Sequence, residues 1–598
     1  MKITKLLVIF WASLLWLSLG GSAYGQESGK EQVSKSDADQ ALTRRDASKD
    51  AKPAIKSADL STEERLSVLN ERVEKLEAII QQQQRIIEEL QHQRNHEKAT
   101  AAAQAGAPAY SPAVEAEAQR SNSQAGQPET SNSVLAAGST SLAKTNVAAT
   151  KAGGLKPQKS EAQESPLSFR IGSAYITPVG FMDFTAFFRS TNTGSGISTT
   201  FGNLPFNNTI AGKLTETRLS AQNSRIGFRV DAKVKDASVI GYLESDFLGV
   251  TPGNVAVSTH SGSLRLRVFW ADVRKGKFEI LGGQSWSMLT PNRKGLSPIP
   301  GDIFYTQNVD LNYQVGLVWA RDPQFRFIYH PTDSVAMGLS LESPEQYIGG
   351  SAGGGLVTLP SALATPYSNQ LNNGNTGLAV PNLHPDVVVK IAFDSKLANR
   401  DFHLEAGGVV RSFRLYNPLN QNYYTATGGG GSFNFNFELV KNLRLISNNY
   451  YSDGGGRWIF GQAPDLIVRS NGSPSLIHSG STVAGIEIQA KNTQLYGYYG
   501  GAYIQRNVAI DPASGKLVGY GYTGSPSGHN RTIQEATVGF TETFWRDPKY
   551  GALQLMGQYS YVIRHPWDVV AGQPSGAHTN MVFLNLRYLL PGSAPKIK

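Results

Sequence analysis

From Phe169 onward the chain repeats one pattern, stretches in which apolar and polar side chains alternate strictly over ~9–11 residues, the length a tilted strand needs to cross a bilayer. Phe433, Phe435, Phe437 and Leu439 alternate with Ser432, Asn434, Asn436 and Glu438. Leu553, Leu555, Gly557, Tyr559 and Tyr561 do so with Gln554, Met556, Gln558 and Ser560, and Val335, Met337, Leu339 and Leu341 with Ala336, Gly338, Ser340 and Glu342. Ala484, Ile486, Ile488 and Ala490 alternate with Gly485, Glu487 and Gln489. Period 2 sends successive side chains to opposite faces of a strand, so each stretch is β and half of it is greasy. In a soluble sandwich the greasy half faces a core; in an outer-membrane barrel it faces lipid and the polar half faces a lumen.

The connections alternate as well. Tight ones fall near 233, 275, 331, 397, 441, 492 and 547. Between them lie long Gly/Asn/Ser/Pro-rich stretches at about 190–215, 249–261, 287–310, 344–384, 415–430, 453–480, 507–530 and 565–578. Short periplasmic turns alternating with long outer loops are the rhythm of an outer-membrane barrel. A first division gives seventeen strands, whereas a chain that starts and ends in the periplasm needs an even number. The parity resolves if residues 312–330 form one long strand bent near Asp322-Pro323, since proline is tolerated at a bulge. The expectation is an all-β transmembrane barrel of sixteen antiparallel strands over 168–591, followed by a tail at 592–598.

The export route agrees. Lys2 and Lys5, an apolar run from Leu6 to about Leu19, then Ala23 and Gly25 read as a signal peptide over 1–25. No other stretch approaches the ~18 consecutive apolar residues of a membrane-spanning helix. The sequence has no cysteine, which excludes disulfides and thiolate metal sites. Three further features favour the barrel over a sandwich: the signal peptide, the unbroken run of hairpins, and aromatics at strand ends (Trp270, Trp286, Trp319, Trp545, Tyr588), read as interfacial girdles.

Ahead of the barrel, residues 26–60 lack large apolar side chains and read as disordered. Ser61 and Glu64 have capping-box spacing and open a helix over 61–94. Its heptads place Leu66, Val73, Ile80 and Ile87 at a, with Leu69, Leu76, Gln83 and Leu90 at d, the pattern of a coiled coil. Dimer and trimer both stay open: the a/d choice favours two strands, while Ile79 and Ile86 at g widen the seam toward three. Residues 95–167, rich in Ala, Ser, Gln, Gly and Pro, read as a disordered linker.

The order of coiled coil, linker, NSRIGFRVDAKV (223–234), GYLESDFLG (241–249), LRLRVFWADVRKGKFEILGGQSW (264–286), RDPQFRFIYH (321–330) and MVFLNLRYLLP (581–591) resembles the DcaP-like outer-membrane porins. The resemblance covers nearly the whole mature chain. It implies a homotrimer of sixteen-stranded barrels in the outer membrane, in contact with lipid and lipopolysaccharide. It also implies an inward constricting loop in each barrel, periplasmic coiled coils, and passive diffusion of small, often carboxylated anions without a cofactor. The chain departs from barrels in general at its end, where Tyr588 is followed by LLPGSAPKIK instead of closing on an aromatic.

If Ile226 and Phe228 face lipid, Arg225 and Arg229 face the lumen; by the same alternation so do Arg265, Arg267, Arg326 and Lys390, with Glu244 and Asp246 of opposite sign on a neighbouring strand. Lumen charge tunes selectivity. The net charge of +9 lies wholly beyond residue 167, before which the two signs balance. Two readings of these arginines stay open: they select anionic solutes, or they pair with Glu244 and Asp246 to brace the wall. The stretch 287–310 occupies the constriction-loop position, where Arg293, Lys294 and Asp302 are candidates, or it is an ordinary outer loop. Gly519 to Gly524 match a dinucleotide fingerprint in letters alone, with no helix following. No zinc-protease or serine-hydrolase motif is present. No metal, catalytic residue or nucleic-acid partner is expected. A barrel enzyme, and an outer-membrane anchor whose coil is a structural tether, are the rival classes.

Overall fold

The computed structural model describes residues 167–249, 262–300, 313–350, 354–373, 380–459 and 463–591. The signal peptide, the segment 26–60, the coiled coil of 61–94, all of the linker but its last residue, the tail of 592–598 and Asp302 lie outside the described residues.

Alternation becomes sixteen antiparallel staves. They are β1 (Ala174–Arg189), β2 (interrupted, Glu216–Ser220 and Arg225–Val234), β3 (Ala237–Asp246), β4 (Arg265–Lys275), β5 (Phe278–Trp286), β6 (Arg321–Thr332), β7 (Val335–Glu342) and β8 (Asp386–Leu397). Then come β9 (Arg400–Asn417), β10 (Asn422–Val440), β11 (Leu443–Asp453), β12 (His478–Ala490), β13 (Thr493–Ile504), β14 (Asn530–Asp547), β15 (Gly551–Pro566) and β16 (Ala577–Leu589). Each pairs with its neighbours in sequence, and β16 closes on β1 from Phe181↔Leu589 to Arg189↔Met581, so no edge is left open. The seven tight turns fall where the sequence places them. That after β8 puts both Ala398 and Asn399 at positive φ, as a two-residue type I′ hairpin requires.

The outer surface carries a continuous apolar belt, for example Phe184, Leu266, Phe325, Leu339, Ile391 and Val538, all exposed. Exposed apolar area on this scale belongs in lipid rather than water.

Four expectations change. Residues 312–330 are not one strand: β6 begins at Arg321, and Tyr313 to Ala320 run through the barrel interior, almost wholly buried. Pro323 sits inside β6 opposite Gln284 without ending it. The count of sixteen therefore stands for a different reason. Residues 415–430 are not a loop, because β9 and β10 continue as a tall hairpin joined by only 418–421. Trp270, Trp286 and Trp319 are not girdle residues; all three are buried inside. In β4 the cause is a bulge that sets Arg267 as an extra residue opposite Glu244 and Ser245. One inserted residue turns every later side chain to the other face, bringing Val268, Trp270 and Asp272 inward. Finally, the interior is not polar throughout. Val388, Val409, Tyr450, Val483, Ile533 and Phe583, from six separate staves, join the inward segment in one apolar cluster that reaches across the barrel.

At the end opposite the tight turns, the long connections fold together rather than hang loose. Ile348, Leu363, Phe413, Ile467, Val518 and Tyr520 share a second apolar core, a cap built from three loops and the tall β9–β10 hairpin.

Candidate pore and its inward loop

Register builds the charged wall. Arg225 on β2 stands opposite Asp246 on β3, which stands opposite Arg265 on β4, so cation and anion alternate across neighbouring staves at one height. Arg267 is wholly buried while its neighbour Leu266 is 44% exposed, which places the arginine on the interior face. Arg267 reaches Glu244 at 2.7 Å and Asp246 at 2.8 Å. Arg225 reaches Glu244 at 3.3 Å, and Arg265 reaches Asp246 at 2.7 Å. Arg229 pairs along its own strand with Asp231 at 2.7 Å.

Arg321, which sequence reasoning did not single out, joins this group. It stands 5.3 Å from the Trp286 ring, and its Nη1 has no hydrogen-bond partner among the described residues. Four guanidinium groups thus gather about Glu244 and Asp246. Arg326 sits apart, its Nη2 donating to the Trp286 carbonyl at 2.8 Å and its Nε to Gln324 at 3.1 Å.

The connection between β5 and β6 enters the barrel. Its ends are tied by Ser287 N–H donating to the Ala320 carbonyl at 2.8 Å. The first limb follows the wall: Met288 N–H donates to Glu342 at 2.8 Å, and Lys390 bridges Glu405 (2.8 Å) to the Thr290 carbonyl (2.8 Å). Arg293 pairs with Glu487 on β12 at 2.9 Å, and Gly295 N–H donates to Asp394 at 3.0 Å. Lys294 is exposed. The return limb is held on the far wall, where Val315 N–H and the Gln314 amide donate to the Glu535 carboxylate and carbonyl, each at 2.8 Å. Val318 N–H donates to Asn448 at 3.4 Å, and Trp319 N–H to the Trp458 carbonyl at 2.9 Å. Gly316 lies between them at φ +92°, so close to β12 and β13 that a Cβ there would meet the Thr482 carbonyl oxygen at 2.4 Å. Of these landing residues Glu487 was legible as inward by its alternation; nothing in the sequence tells that Glu535, Glu405, Glu487 and Asn448 receive the loop.

In the cap, His529 is fully buried. Gly521 N–H donates to its Nδ1 at 3.0 Å, which assigns the ring proton to Nε2, 2.8 Å from the Leu356 carbonyl. The ring stacks on Tyr520 with centroids 4.5 Å apart. Burial lowers its pKa below the ordinary histidine value. Among the described residues no group of His, Asp and Glu is arranged to hold a metal ion.

Compared with solved structures, the chain overlaps the outer membrane channel DcaP of Acinetobacter baumannii with a TM-score of 0.50 at 18% identity, over 70% of this chain and 97% of that one. The barrel has the fold of a DcaP-like outer-membrane channel. OmpT of Vibrio cholerae overlaps with a TM-score of 0.37 at 11% identity (71% and 99% of the two chains), and an anion-selective porin from Comamonas acidovorans with 0.36 at 9% (70% and 99%). No family's sequence pattern matches the chain, and no curated protein does. The DcaP-like fold accounts for the closed sheet.

Proposed function

We propose that this protein is an outer-membrane porin through which small hydrophilic solutes, preferentially carboxylated anions, diffuse passively, and that it works as a homotrimer without a catalytic step. The observation that carries the anionic preference is the gathering of Arg225, Arg265, Arg267 and Arg321 around Glu244 and Asp246, beside the point where the inward loop rejoins the wall. Such a wall lowers the barrier for an anion passing it. Arg293, Arg229 and Lys390 are each paired with a carboxylate (Glu487, Asp231 and Glu405), so beyond the cluster the positive charge is carried by the exposed Lys294 on the loop and by Arg326 on the wall. Planar-bilayer recordings of the full chain test this. Conductance steps in multiples of three and a reversal potential of anionic sign in a KCl gradient are expected; cation preference would overturn the reading of the arginines.

A second reading has its own observation. The apolar cluster joining the return limb to staves all round the barrel is what an anchor without a conducting path would have. Absence of any conductance from correctly folded protein would favour that tether over the porin.

A further inference from the structure

We propose that the tight-turn end of the barrel is a binding rim for anionic phospholipid headgroups of the membrane leaflet it meets. Six of the seven tight turns present an exposed lysine: Lys235, Lys277, Lys396, Lys441, Lys491 and Lys549. Most of the interior cations described above are paired with carboxylates a few ångströms away, whereas five of these six stand on the turns outside the barrel wall and Lys396, which shares the inward parity of Lys390 on β8, stands at the mouth of the barrel.

Their height decides the partner. Val234, Phe278, Leu397, Val440 and Tyr550 are chain neighbours of five of the lysines, and each is more than half exposed at the lower margin of the apolar belt. A lysine next to the edge of an apolar belt stands at headgroup level, its stem along the hydrocarbon and its ammonium among phosphates. Phe278 and Tyr329 (5.2 Å) and Trp545 and Tyr588 (6.2 Å) mark the same level as an aromatic girdle, and Lys549 lies over the Tyr550 ring at 5.2 Å.

Distribution argues the same way. The lysines belong to the turns β2–β3, β4–β5, β8–β9, β10–β11, β12–β13 and β14–β15, and so encircle the barrel. A ring suits a surrounding sheet of headgroups, whereas a compact protein partner would be met by a single patch. Carboxylates at this end offset the ring only in part. Asp236 pairs with Lys275 at 3.2 Å, and Asp547 accepts the Lys549 and Tyr550 backbone N–H groups, while Asp333 and Asp401 also face solvent.

The inference rests on the barrel spanning a membrane, and its test is separate from conductance. The full chain is purified in detergent with equimolar phosphatidylglycerol and phosphatidylcholine, and the lipids retained are read by native mass spectrometry. Wild type is expected to retain phosphatidylglycerol several-fold over phosphatidylcholine. A variant with all six lysines changed to glutamine should lose that preference, and one with all six changed to arginine should keep it, both retaining the heat-modifiable gel mobility of a folded barrel. Equal retention of the two lipids by wild type, or an unchanged preference in the glutamine variant, overturns the proposal even if the porin conducts as expected.

Discussion

At the scale of single residues, the interior charges differ sharply in what they hold. Arg267 is buried and bonded to two carboxylates on β3, so Arg267→Glu would leave Glu244 and Asp246 facing a third carboxylate with no water to screen them. Breaking a buried pair of this kind costs about 3–5 kcal/mol, and the midpoint of heat-modifiable gel mobility should fall accordingly. Arg321→Gln removes a cation whose Nη1 has no partner among the described residues; it should leave that midpoint nearly unchanged while moving the reversal potential toward cations. His529 sets a pH limit on the cap. Its folded pKa is depressed by burial, so its contribution is fully present above about pH 6.5, the ordinary histidine value, and is lost as pH falls through the lower folded value. Protonation would turn Nδ1 from acceptor to donor against the Gly521 N–H. Hydrogen exchange in 505–529 and 354–373, corrected for intrinsic rates, should therefore quicken between about pH 7 and about pH 5, and His529→Phe should abolish that step.

At the scale of elements, the inward loop is held more by its landing sites than by its own sequence. Glu535→Ala would leave the Val315 N–H without its acceptor, a penalty of about 1–3 kcal/mol for the attached state. Gly316→Val attacks the same contact sterically, since its Cβ would overlap the Thr482 carbonyl oxygen. Both variants should raise single-channel conductance by loosening the return limb; unchanged conductance in both would mean that solutes pass elsewhere. The tall β9–β10 hairpin has a comparable local reason. Phe413 and Leu415 above the level of β8 find an apolar core in the cap, and that burial extends the strands past the point where the sequence suggests a loop.

At the scale of the whole molecule, one physical fact organises the rest: an inside-out barrel exposes its apolar residues and must satisfy its polar ones internally. Purified without detergent, the chain should therefore aggregate through its belt, as a light-scattering measurement with and without detergent would register.

Tight turns, the outward faces of most staves and the inward faces of Arg225, Arg265, Arg267, Arg326 and Lys390 were determined by the sequence alone, because period-2 alternation is local and the turns advertise themselves; the strand count was not, since its parity was reached through a bent strand over 312–330 that does not form. That a loop begins at Ser287 after β5 was legible from the same alternation and turn signals. What only the tertiary structure decided is everything that depends on who meets whom across the barrel. It brings Glu244 and Asp246 between the arginines by register, lands Val315 on Glu535, folds the outer loops into a cap, and turns Trp270 inward by a single bulge. Each of these joins residues far apart in the chain or depends on one inserted residue, and local periodicity carries no information about either.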